Sequence, residues 1–174
     1  MLNKNNKKSI LKYIAAWIPS ICIMIIIFRF SASVADDSSK TSLSLTDIVV
    51  DIVEEFTDKT VTEESQIYGL IHHIVRKTGH FLEYMALGCT LVLPFALAFI
   101  KNPAINFQNI KIFLCSELFA AFYACTDEVH QLFVEGRDGN ILDVGIDSMG
   151  ALAGIFAGFV FWHIGKWIKK QKVL

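Results

Sequence analysis

Proline is scarce in this 174-residue chain, with three residues, and glycine numbers only ten. That excludes collagen-like and disordered low-complexity chains, which need far more of both. There is no excess of positive charge: 16 Lys+Arg face 17 Asp+Glu, which excludes a strongly basic nucleic-acid binder. The four cysteines, Cys22, Cys89, Cys115 and Cys125, lie in apolar runs without CxxC spacing. A disulfide or zinc framework is therefore not expected, and they read as small packing residues. Charged residues make up only 19% of the chain and apolar ones 53%. The mean hydropathy of +0.48 points away from an ordinary soluble domain.

The apolar residues gather into long runs. A bilayer span needs about 20 mostly apolar residues. Four stretches approach this: residues 13–30, 80–100, 110–126 and 144–162. The first follows Lys4, Lys7, Lys8 and Lys12 and precedes small residues at 31–35, the layout of a cleavable signal. Arg29 and Phe30 in the cleavage region favour a retained span instead. The expected fold is all-α: one polytopic membrane domain over residues 1–174, with a four-helix transmembrane bundle.

Orientation follows from positive charge in the connecting segments. With four spans, ten lysines fall on one side and six Lys/Arg on the other, while every acid except Glu117 lies on or near the second side. Both termini are thus expected in the cytoplasm and the loop 31–79 outside. That loop carries helical periodicity. Leu45, Ile48, Val49, Ile52, Val53 and Phe56 make one apolar face opposite Asp47, Asp51, Glu54, Glu55 and Asp58. Ile67, Leu70, Ile71, Ile74 and Val75 make another, with Thr62 as its expected N-cap. These outer amphipathic helices would cap the bundle or act as a lid.

Charges within a span cost a few kcal/mol each, about 2.5–3.5 at the centre. Here they cluster near one end of three spans. Arg76, His80, Glu83 and Tyr84 share a face of the second. Glu117, Ala121, Ala124, Asp127, Glu128 and Gln131 form a stripe on the third, with Leu118, Phe119, Phe122 and Val129 opposite, toward lipid. Asp143, Asp147, Gly150, Gly154 and Gly158 share a face of the fourth, where glycines four apart permit close helix approach. Polar stripes facing lipid would be costly, so all three should turn inward. The expected result is a polar pocket lined by His80, Glu83, Tyr84, Asp127, Glu128, His130, Gln131, Arg137, Asp143 and Asp147, with Arg29 able to join.

Each member also has a plainer role. Arg137 would pair with Asp143 or Asp127 to hold the turn at Gly136, Gly139 and Asn140, and each His would be satisfied by a carboxylate. No cofactor is implied; a divalent ion would suit the carboxylates and His, but no strict metal motif occurs. Arg76, Lys77, Arg137 and the two His suit a lipid phosphate.

The motifs resemble those of the VanZ-like family of bacterial membrane proteins. The resemblance rests on Phe30-Ser31-x-Ser33, Arg76-Lys77-x-x-His80-Phe81-x-Glu83-Tyr84, and Tyr123-x-x-x-Asp127-Glu128-x-His130-Gln131-x-Phe133-Val134-x-Gly136-Arg137, with Asp143 to Asp147 and Gly150 and Gly154. It implies a role near that of the family's named member, which is linked to low-level teicoplanin resistance. Three functions then stand. The first is binding of a membrane lipid or lipid-linked cell-wall precursor at the outer pocket. The second is an intramembrane enzyme for a lipid-linked phosphate or sugar, with His80, Glu83, Asp127 and His130 as catalytic candidates and Arg137 as clamp. The third is a proton-coupled transporter relaying through Glu117, which at this length requires a homo-oligomer.

Overall fold

The computed structural model describes residues 4–32, 35–57, 60–99, 108–135, 137 and 139–171. They form five helices: α1 (Lys4–Ala32), α2 (Ala35–Thr57), α3 (Gln66–Phe99), α4 (Gln108–Gln131) and α5 (Ile141–Gln171). The all-α expectation holds among the described residues.

Three helices are long and apolar enough to cross a membrane, not four: Ile10–Ala32, Gln66–Phe99 and Ile141–Ile168. The expected span at 110–126 is helical, but Lys111 and Glu117 interrupt its apolar run and Asp127 and Glu128 end it. Its first turns meet the middle of α5, with Phe113 5.7 Å from Phe156, and its last turn lies beside the start of α5.

The expected second amphipathic helix and second span are one helix. At about 1.5 Å per residue, the 34 residues of α3 extend about 51 Å, well beyond a hydrocarbon core of about 30 Å. Its N-cap is Ser65, whose hydroxyl accepts the Tyr68 N–H at 3.2 Å. Thr62 instead opens the preceding turn, its carbonyl accepting from Ser65 N–H at 2.9 Å. α2 packs on the first turns of α3 through Thr46 and Val50, and the Tyr68 hydroxyl donates to Asp47 at 2.7 Å. Leu45, Ile48, Ile52 and Phe56 remain exposed on another face of α2.

α3 and α5 form the most extensive interface. A side chain on Gly154 would run into the Met85 carbonyl, one on Gly150 into the Phe81 carbonyl, and one on Gly88 into Ala151. The glycine stripe anticipated from spacing therefore brings these backbones together. α1 and α4 close the other side. Trp17 lies 5.5 Å from both Phe95 and Phe119, so Phe119 packs in the core rather than facing lipid. Leu118, Phe122 and Val129 are exposed as expected. Cys22 and Cys125 are also exposed, which corrects their reading as packing residues.

The Tyr123 hydroxyl donates to the Met24 carbonyl at 2.7 Å, tying α4 to α1. Tyr123→Phe should lower stability by about 1 kcal/mol, a fall in Tm of about 2–4 °C. Thermal unfolding of the detergent-solubilised protein would read this directly.

Candidate functional site

One end of the bundle collects the chemistry. α3 brings Arg76, Lys77, His80, Glu83 and Tyr84, because residues three, four and seven apart stack on one helical face. The last turn of α4 brings Asp127, Glu128 and Gln131, and the first two turns of α5 bring Asp143 and Asp147. α1 ends beside them with Phe28, Phe30 and Ser31.

The turn between α4 and α5 is built by its own residues. Gly139 approaches the Glu128 carbonyl so closely that a Cβ would sit 2.6 Å from it. Asn140 caps α5, its side-chain oxygen accepting the Leu142 N–H at 3.0 Å. The Asn140 N–H donates to Glu128 Oε2 at 2.8 Å, which fixes that carboxylate as part of the turn. Gln131 donates to Asp127 Oδ2 at 3.2 Å and to Glu128 Oε1 at 3.3 Å.

Two expected pairings are replaced. Arg137 donates from Nη2 to the Phe30 carbonyl at 2.9 Å, binding the turn to the end of α1. The cationic partner of Asp143 is Lys77, not Arg137. Burial, reinforced by Arg76 nearby, pushes the Arg137 guanidinium down from its ordinary value, while Asp127, Glu128 and Glu83 pull it back. His130 stacks on Phe28 with ring centres 4.7 Å apart, and its Nε2 has no hydrogen-bond partner among the described residues. It therefore lies to one side of the cluster, toward α1. Arg29, expected to join, is exposed instead.

The interior of the cluster is tightly closed. Tyr84 and Asp147 are 0% exposed and Asp127 is 3% exposed. His80 Nδ1 approaches Asp147 Oδ1 only to 3.9 Å, beyond hydrogen-bond distance. Both Asp147 oxygens, Asp127 Oδ1, the Tyr84 hydroxyl, His80 Nδ1 and Arg76 Nε have no hydrogen-bond partner among the described residues. Glu117 sits ten residues, or about 15 Å, further along α4 than Asp127 and takes no part in the cluster. Among the described residues no group of three His, Cys, Asp or Glu is placed to hold a metal ion.

Beside the cluster runs a groove of about 290 Å³ lined by His73, Ile74, Lys77, Thr78, Phe81 and Ile146. Lys77 belongs to both, since it lines the groove and pairs with Asp143. Sequence reasoning missed the Phe30 carbonyl and the Asn140 N–H, backbone groups that leave no side-chain signal.

No curated protein and no solved structure matches the chain. A family model described as VanZ/LLP1 matches residues 16–162, which takes in the later part of α1, all of α2, α3 and α4, the whole cluster and most of α5. A match of this extent identifies the chain as a membrane-type helical protein of the VanZ/LLP1 family.

Proposed function

We propose that the cluster between α3, α4 and α5 binds the polar head of a membrane lipid or of a lipid-linked cell-wall precursor, and that this binding limits the action of teicoplanin. The observation that carries the reading is the set of buried polar atoms without partners at Tyr84, His80, Asp127 and Asp147. Leaving a buried polar group unpaired costs about 1–3 kcal/mol. Several such groups at one point of an apolar bundle are best explained by a ligand that completes them. The adjoining groove supplies an apolar bed for an acyl or polyprenyl chain, and Lys77 stands where the groove meets the cluster.

In this reading α4 crosses the bilayer with the three more apolar helices. Its buried side (Ser116, Ala120, Ala124, Asp127) faces protein and its Leu118–Phe122 side faces lipid. Both termini then lie in the cytoplasm and the cluster near the outer surface, in keeping with the lysine distribution.

The test compares teicoplanin susceptibility of a sensitive host carrying wild type, Asp127→Asn, His130→Ala, Arg137→Ala or an empty vector, at matched membrane levels. Wild type should protect. Asp127→Asn and Arg137→Ala should return the host to the empty-vector level. His130→Ala should retain most protection, because His130 packs on Phe28 outside the closed interior. A wild type that gives no protection removes the resistance role.

A further inference from the structure

We infer that the group recognised by the cluster carries a phosphate and a primary ammonium together, so that the ligand is a lipid-anchored zwitterion rather than an anionic phosphate alone. This rests on the lipid-binding reading above and narrows it to one headgroup chemistry.

The cluster has two chemically distinct levels. At the outer level stand Arg76, Lys77 and Arg137, with Lys77 held by Asp143. Arg76 and Arg137 have no carboxylate at ion-pair distance among the described residues, and Arg76 Nε is buried without a partner. Guanidinium groups suit phosphate oxygens because their planar N–H groups match the anion's geometry.

About one to two helical turns deeper the sign reverses. Asp147 lies four residues after Asp143, and Glu83 and Tyr84 lie seven and eight after Arg76. Glu83, Asp127 and Asp147 are near enough to influence one another electrostatically. No Lys or Arg of the described residues forms an ion pair with any of these three. A phosphate alone would satisfy the outer level and leave the inner one bare, since carboxylates repel it.

The inner level asks for hydrogen-bond donors. Asp127 Oδ1, Asp147 Oδ1 and Asp147 Oδ2 are three buried acceptor atoms without partners. A primary ammonium presents three N–H donors on one nitrogen. A quaternary ammonium presents none, so a choline head would supply charge without filling the acceptors. The fully buried Tyr84 hydroxyl faces the same carboxylates and is also unpaired. It can donate to one of them or accept from the ammonium.

Entry follows the groove lined by Ile74, Phe81 and Ile146. Lys77 is the only residue shared by the groove lining and the outer cations. When it swings from Asp143 to a phosphate, its former partner is freed beside the incoming headgroup.

The test uses the purified full-length protein in nanodiscs, with bound lipid read by native mass spectrometry. The probes are phosphatidylethanolamine, its N-acetylated form, phosphatidylcholine and phosphatidylglycerol. Phosphatidylethanolamine should be retained about tenfold better than the other three, the factor expected of one charge-assisted contact. Asp147→Asn should erase that preference by lowering phosphatidylethanolamine retention to the level of the other three. Arg137→Gln should weaken all four. A polyprenyl-pyrophosphoryl peptide with a free lysine amine, compared with its N-acetylated form, tells apart the two sources of this chemistry. Tighter binding of its free-amine form than of phosphatidylethanolamine makes the precursor the ligand. Equal or better binding of phosphatidylglycerol or of the acetylated probes overturns the inference and leaves lipid binding standing. Retention of no probe at all overturns both.

Discussion

A single methyl group on Gly154 should be enough to force α3 and α5 apart. The Cβ of Gly154→Ala would overlap the Met85 carbonyl and crowd the Cys89 N–H, and both are backbone atoms that cannot swing away. Gly150 meets the Phe81 carbonyl and Gly158 the Cys89 carbonyl in the same way, so the neighbouring turns cannot absorb the shift. Overpacking a tight interface costs about 1–3 kcal/mol and sometimes more. The upper end is expected here, because three glycines on one stripe lock the two helices at three levels. Gly145→Ala and Gly165→Ala are internal controls, since nothing lies within 4 Å of either position. Each should be neutral or gain about 0.5–1 kcal/mol from the better helix former. Size-exclusion profiles in detergent after stepwise heating would rank the variants. A Gly154→Ala protein as stable as Gly145→Ala would mean that the α3–α5 contact is looser than described.

Asp147→Leu should make the protein more stable and useless at once. The carboxyl is fully buried, neither oxygen has a hydrogen-bond partner among the described residues, and His80 stands 3.9 Å away. Replacing a poorly compensated buried charge with an apolar side chain of similar size is commonly neutral or stabilising, by about 1–4 kcal/mol. Residues that reduce stability and are kept all the same are found where a protein binds or reacts. The expected outcome is a Tm raised by several degrees, with lipid retention and teicoplanin protection reduced to background. A large fall in Tm would instead make Asp147 a structural member of a network with His80.

Lys77→Met would differ from Asp147→Leu in kind. It leaves Asp143 without its partner in the first turn of α5, and stranding one member of a buried pair is destabilising rather than relieving.

The sequence made much of this arrangement readable, for reasons that differ by element. The inward turn of Asp127, Glu128 and Gln131 followed from their spacing with Ala124, because helical geometry is fixed and lipid tolerates no polar face. The close α3–α5 approach followed from Gly150, Gly154 and Gly158. What could not be read were the partners. Lys77 and Arg137 both lie within reach of acids from several helices, and local spacing does not tell which acid each meets. The Phe30 carbonyl gains its role only from the place where α1 happens to end. The length of α3 was obscured because its outer turns carry Gly69, Arg76, Lys77 and Gly79, residues that look like a break between two helices. By length and composition α4 does not count as a span, because it has the length of one but interrupts it with charge.

The unequal helices have a consequence for the surrounding bilayer. If α4 crosses the bilayer as proposed, only nine uncharged residues, about 14 Å, separate Glu117 from Asp127, against a hydrocarbon core of about 30 Å. The apolar belt around the protein is then of uneven height, and lower where α4 faces outward. Lipids there meet hydrophobic mismatch, which membranes relieve by thinning locally or by tilting the protein. Thinning draws headgroups down on the α4 side, toward the depth of Asp127. A protein of this shape would favour thin patches of membrane and partition away from thick ones.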